Sequence, residues 1–343
     1  MAEDCAAKPQ AALNRDYLPT MTMKSHAYQP VLHRFALATA CLTLLPIGVG
    51  ALVTTMNWGM AFLDYPTSDG HNMFLYPWLK AATDKFAEHG HRLAGFAIGV
   101  VSAALTLVAW KWETRKWVKV VATLIPFCVL LQGLLGGMRV LANDPRMAMV
   151  HGSFAALVFT LMSALVLLTS RSWIEAGEND GGYDVSRLKP LAVAVSIMLF
   201  GQYLLGGLLR HLGTALHEHI GLAVLALLVV IANTVVVHRG GNSWLRQTAW
   251  MLLAVVLVQM LLGTAAFVTK FGFAPTGYVA VQHSVGQVVV RTIHTIIGML
   301  VLMTSIVHLL RVYRVVGLRW QRSPVRLESG RLDHAFPIEG GVR

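Results

Sequence analysis

Charge is scarce in this sequence. Asp, Glu, Lys and Arg make up 13% of its 343 residues and 55% are hydrophobic, far from the usual soluble mixture of about 25% charged residues. That balance excludes a soluble globular domain. Acidic residues are the scarcer sign, 17 against 28 basic ones, leaving a formal charge of +11. Cysteine is nearly missing. Cys5, Cys41 and Cys128 are scattered between a polar N-terminal segment and two apolar runs, which excludes a disulfide framework and a cysteine-spaced metal site. The short apolar core followed by small residues that marks a cleavable signal peptide is also missing, because the first 34 residues are polar and carry Pro9, Pro19 and Pro30. The first apolar run is therefore expected to be retained.

What the chain has instead is apolar length. A helix rising about 1.5 Å per residue needs roughly 20 apolar residues to cross a bilayer core about 30 Å thick. Eight runs qualify, at 35–56, 89–110, 117–138, 148–169, 190–210, 215–237, 245–268 and 287–312. The expected fold class is an all-α integral membrane protein with eight transmembrane helices arranged as two similar four-helix bundles.

Lys and Arg gather in alternate connections: Lys111, Arg115, Lys116 and Lys119, then Arg171, Arg187 and Lys189, then Arg239 and Arg246, and a tail with Arg311, Arg314, Arg319, Arg322, Arg326 and Arg331. The positive-inside rule makes these segments cytoplasmic, with both termini inside a bacterial-type cell membrane. Topology and anionic lipid account for the net charge, so no nucleic-acid partner is expected. The division is a polar tail (1–34), an N-terminal half (35–170), a cytoplasmic linker (171–189), a C-terminal half (190–312) and a basic tail (313–343).

An internal repeat supports the two halves. "LQGLLGGMR" (131–139), "GQYLLGGLLR" (201–210) and "VQMLLGTAAF" (258–267) place Gln132, Gln202 and Gln259 in spans three, five and seven, each ahead of small residues that permit close helix contact. Each even span opens with histidine near its outward end: His89 or His91, His151, His217 or His219, and His294. A buried neutral imidazole is a good ligand for haem iron, and two from facing helices make a six-coordinate site. Pairing within halves, His91 with His151 and His219 with His294, implies two haem sites. Residues two apart on a helix point about 200° from each other, so one of His89 and His91 faces a given cofactor, whereas Glu88 and His91, three apart, share a face. Small residues four positions on, Gly95, Ala155, Ala223 and Gly298, leave room for a flat macrocycle; Gly221 stands in the same relation to His217, so the choice between His217 and His219 stays open. His26, His33, His71, His211, His238, His308 and His334 fall outside the pattern and read as interfacial or solvated.

Arg92, Arg139, Arg210 and Arg291 stand at outward span ends, against the positive-inside trend, and Arg139 and Arg210 match in the repeat. Such cations suit the propionates of a haem. His283, Gln287, Arg291 and His294 fall within about 80° of one another at 100° per residue, one polar stripe on span eight. Asp64, before Pro66, reads as a turn residue of the long outward loop.

These segments, with "ALVTTMNWGMAFLDYPT" (51–67), "HNMFLYPW" (71–78), "EHGHRLAG" (88–95), "MVHGSFA" (149–155) and "RTIHTIIG" (291–298), resemble the haem A synthase family, also described as cytochrome oxidase assembly proteins. The resemblance runs from about 35 to 312 and is more specific in the first half. It implies an eight-helix pseudo-twofold bundle with haem b in the C-terminal half and haem O as substrate in the N-terminal half, its C8 methyl oxidised to the formyl of haem A. By motif, His91 and His151 would flank the substrate haem, His219 and His294 would ligate haem b with Arg210 and Arg291 nearby, and Glu88 would match a catalytic acid. Implied partners are haem O, membrane lipid, a haem O synthase and cytochrome oxidase subunits; an oligomer is compatible. Some members carry a cysteine pair in the first outward loop; residues 57–88 contain none, which excludes a thiol relay there. The alternative is a non-catalytic haem-binding assembly protein on the same bundle.

Overall fold

The structure, a computed structural model, describes residues 27–176 and 185–322. Cys5, His26, His334, Arg326, Arg331, the bulk of the N-terminal tail and the centre of the linker lie outside the described residues. Among the described residues eight helices are long and apolar enough to span a membrane: α1 (Pro30–Thr55), α2 (Thr83–Trp112), α3 (Lys116–Ala142), α4 (Pro145–Thr169), α5 (Val185–Leu212), α6 (Leu216–Arg239), α7 (Ser243–Phe271) and α8 (Val285–Arg322). The chain is all-helical, and sheet pairing among the described residues is confined to two isolated bridges, Ser68 with His71 and Phe273 with Tyr278.

The helices are longer than the apolar runs that announce them. Helix α1 starts at Pro30, so residues 30–34 of the expected tail are helical, and α2 starts at Thr83 rather than 89. Hydropathy registers only the stretch that must shun water, whereas the helix continues through the interface, where polar side chains are solvated. Local chemistry sets several ends. Pro30 and Pro145 occupy first-turn positions of α1 and α4 that need no N–H partner. Asp144 accepts from Arg146 N to cap α4, and Asn242 accepts from Leu245 N to cap α7.

Helix neighbours close two rings. In the first, α1 packs on α2, α2 on α3, α3 on α4 and α4 on α1; in the second, α5 to α8 repeat the cycle. The rings meet where α4 touches α5 and α8, and α1 touches α8. The seam is filled by Ile47, Ala156, Phe159, Met299 and Leu302, with Phe200 and Tyr203 packed against them. Near the level of the histidines Arg210 bolts the rings together, donating to Thr295 Oγ1 (2.6 Å), Ala51 O (2.7 Å) and Thr55 Oγ1 (3.0 Å).

His308, expected at an interface or in solvent, is instead fully buried. Its Nε2 lies 3.1 Å from Asn233 Nδ2 and its Nδ1 3.0 Å from Thr248 Oγ1, so both ring nitrogens have partners and the cost of desolvation is offset. It ties α6, α7 and α8 together far from the other histidines.

Candidate functional site

The four histidines that open the even helices meet in two pairs. His91 of α2 and His151 of α4 have ring centroids 6.3 Å apart at 82°; His219 of α6 and His294 of α8 have theirs 6.5 Å apart at 84°. Both pairs line one continuous cavity of about 1020 Å³, which His217 does not. His89 points elsewhere: it is buried against Ser68 Oγ (3.1 Å) and the Tyr76 ring (4.9 Å). Thus each doubled histidine contributes one ring to the cavity, as the 200° separation requires.

Beneath every ring lies a glycine of the preceding odd helix. A Cβ built on Gly50 would fall 2.7 Å from His91 Cε1, on Gly136 3.0 Å from His151 Cε1, on Gly206 3.1 Å from His219 Cε1 and on Gly263 3.2 Å from His294 Cε1. Four residues before three of these glycines stand the repeat glutamines. Gln132 Nε2 donates to His151 O (3.0 Å) and Gln202 Nε2 to His219 O (2.9 Å), while Gln259 Nε2 lies 3.4 Å from His294 Nε2. The fourth copy, in α1, has Pro46 at the glutamine position, and the Pro46 carbonyl accepts from His91 Nδ1 at 2.9 Å. Sequence reading found the repeat in spans three, five and seven and missed it in the first, because "PIGVG" keeps the glycine but not the glutamine. The small residues expected to admit a macrocycle, Gly95, Ala155, Ala223 and Gly298, all line the cavity, and Gly298 also lies against the Gln259 amide.

Glu88 lines the cavity beside His91 but is only 2% exposed. Its Oε2 accepts from Ala61 N (2.8 Å) and Phe62 N (3.3 Å), and its Oε1 pairs with Arg92 at 2.9 Å. Arg92, expected to be free for a propionate, also donates to Asp64 O and Thr67 O. Arg139 donates to Gly59 O at 2.6 Å. These contacts hold the loop between α1 and α2 over the first pair. Asp64 keeps that loop turned: its carboxylate accepts from Asp69 N (3.0 Å) and Gly70 N (2.9 Å). Partial burial pushes the Asp64 carboxyl upward, but the hydrogen bonds from Thr67, Gly70 and Asp69 outweigh it and leave the group below its ordinary range.

Over the second pair, Arg210 is committed to the seam, while Arg291 and Lys270 line the cavity. The expected stripe on α8 divides. His283 precedes the helix with a φ of 56°, and buried Gln287 accepts from His283 N and donates to Thr269 O, so only Arg291 and His294 face the cavity. His211 and Tyr203, which the pattern did not single out, line it where the two compartments join. The wall also includes Phe96 and Val100 of α2 and Leu130 and Leu134 of α3, all half or more exposed on the flank that faces lipid.

Residues 77–218, a stretch holding Glu88, His91 and His151, match the family described as cytochrome oxidase assembly protein. Over that stretch the chain is similar to this family. It is 26% identical over 175 residues to a protein named heme A synthase from Methylobacterium radiotolerans, the match covering 46% of this chain and 44% of the relative. The chain thus spans less than half the length of that relative. No solved structure matches. The family match ends one residue short of His219, so the second pair rests on the internal repeat and its geometry alone.

The donor set fits haem. Among the described residues no group of three or more His, Cys, Asp or Glu side chains converges as a bare ion would require. Two facing imidazoles with a glycine floor, apolar walls and outward cations suit an iron already held by a flat macrocycle. His91, His151, His219 and His294 would hold the groups, and any side chain at the four glycines would crowd the rings.

Proposed function

We propose that this membrane protein is a haem A synthase-like oxidoreductase, with haem O bound between His91 and His151 and haem b between His219 and His294. The reading is carried by one observation: four histidines from equivalent helices converge pairwise in a single cavity. A resident haem b supplies one-electron transfer close to the substrate. His91 and His151 would hold the substrate iron, and the off-axis groups, Arg139 and the apolar wall of α2 and α3, would set which edge of the macrocycle faces Glu88. The Glu88 carboxylate, shielded by the loop, is placed to accept protons released as the C8 methyl is oxidised toward the formyl, a four-electron change that draws on an external oxidant and takes one oxygen atom from water or dioxygen. Arg139, and Arg291 with Lys270, are the cations that suit the propionates of the two groups. Positive-inside topology puts both termini in the cytoplasm and the histidine level toward the outer face.

A second reading, a non-catalytic haem-binding assembly protein, is favoured by the full engagement of Glu88 with Arg92 and the loop amides. Haem extraction and chromatography from cells carrying Glu88→Gln separates the two. Gln keeps the shape and one acceptor oxygen but not the base, so haem A should disappear while haem b stays bound and haem O or a hydroxylated intermediate accumulates. Haem A at the parent level in Glu88→Gln would refute the proton-accepting role; a parent protein that neither makes haem A nor retains haem O would establish the second reading.

A further inference from the structure

The three repeat glutamines share a defect. Oε1 of Gln132, Gln202 and Gln259 is buried without a hydrogen-bond partner, a condition that costs about 1–3 kcal/mol per group. One orphan could be an accident of packing; the same orphan at three equivalent positions, each beside a paired histidine, is a property of the repeat. The other end of each amide faces the imidazole. Gln132 Nε2 lies 3.1 Å from His151 Nδ1, Gln202 Nε2 lies 3.1 Å from His219 Nδ1, and His294 Nδ1 is itself buried and unpartnered.

A neutral imidazole has one N–H and one lone pair. When one nitrogen gives its lone pair to iron the other must carry the proton, and a buried N–H then needs an acceptor. An amide nitrogen cannot accept. The two ends of a glutamine amide are nearly isosteric, so a half-turn about the last side-chain bond places the orphan oxygen against the ring, beside both of its nitrogens, and carries the amide nitrogen into the space the oxygen held. The hydrogen bond given up, to the backbone carbonyl of His151 or His219, is one that the helix already satisfies through its own ladder.

Resting on the haem-binding reading above, we propose that Gln132, Gln202 and Gln259 are positioning residues whose amides reverse on haem loading to accept from the ligand imidazole, Gln132 and Gln202 giving up their bonds to the histidine backbone and Gln259 its approach to His294 Nε2. His91 is the exception. Its acceptor is the backbone carbonyl of Pro46 at 2.9 Å, which cannot reverse, so His91 is set with its proton on Nδ1 and Nε2 bare before any haem arrives. One imidazole is preset and three adapt.

The test uses the detergent-purified full chain with its resident haem, carrying Gln202→Leu or Gln202→Glu, read by the midpoint potential and the low-spin electron paramagnetic resonance signal. Leu removes the acceptor, which weakens the imidazole as a donor and frees its rotation. The potential should rise and the resonance positions should move. Glu, whose carboxyl accepts but has no amide donor, should restore the parent signal and bring the potential back below that of the Leu variant. Parent values of both readouts in Gln202→Leu overturn the proposal. So does a Glu variant that behaves like Leu, which would assign the glutamine to backbone tethering alone. If Gln202→Leu loses haem altogether, recovery of haem by Glu supports the proposal and failure to recover it overturns it. A parent protein without low-spin haem b, or a haem b content that survives both His219→Ala and His294→Ala, overturns the functional reading itself, and the proposal with it.

Discussion

At the residue scale, the cavity is shaped more by what is missing than by what is present. A Cβ at Gly50 would collide with the His91 ring, and one at Gly136, Gly206 or Gly263 would press the ring above it by a few tenths of an ångström. Methyl-sized intrusions into packed interiors are costly, and here the yielding atom is the side chain that the site depends on. Gly206→Val should therefore cost most of the haem at the second pair while the helices still insert and the first pair keeps its geometry. The check is the ratio of haem b to protein after purification, with haem O retention measured in the same sample. An unchanged ratio would show that His219 does not need its glycine floor.

At the element scale, the loop over residues 57–82 is a folded lid tied down by α2 and α3 through Glu88, Arg92 and Arg139. Its internal fastener is Asp64, which sits on two backbone N–H groups. The Asp64 carboxyl lies lower in the folded loop than its ordinary 3.8, so its stabilising contribution is fully present above that value and is lost as pH falls through the folded one. Hydrogen exchange of residues 64–71 should accelerate as pH drops below the carboxylate range, after correction for intrinsic rates. In Asp64→Asn exchange should be faster at neutral pH and the acid dependence should flatten. Protection in the variant equal to the parent at both pH values would remove Asp64 from the fastening role.

The lid also shows where the sequence was legible and where it was not. The eight helices could be read because burial in lipid imposes a long apolar run that nothing else in a chain imitates. His91, His151, His219 and His294 could be read because a repeat placed them at one depth. Gly50 and Pro46 were hidden because the first copy replaces a side-chain amide with a main-chain carbonyl, and main-chain groups leave no trace in residue identity. Arg92 and Arg210 were read as free cations because an unpaired charge and one spent on backbone carbonyls look alike in one dimension. The same holds for His308, whose partners Asn233 and Thr248 come from other helices.

At the scale of the whole molecule, two rings share one cavity, and the first compartment lies under a lid with a wall of exposed apolar side chains, Phe96 and Val100 of α2 and Leu130 and Leu134 of α3. If α2 and α3 part between those side chains, the compartment exchanges its contents within the plane of the bilayer. Its supply is then a surface concentration. Turnover with haem O in proteoliposomes should follow the mole fraction of haem O in lipid: diluting the vesicles tenfold in buffer should leave the rate per protein unchanged, and adding tenfold more lipid at fixed haem O should slow it in the subsaturating range. The reverse pattern would mean that the lid lifts and the aqueous phase delivers. If the lateral route holds, this protein does its chemistry in two dimensions, and its effective affinity is set as much by how crowded the membrane is as by any contact inside the cavity.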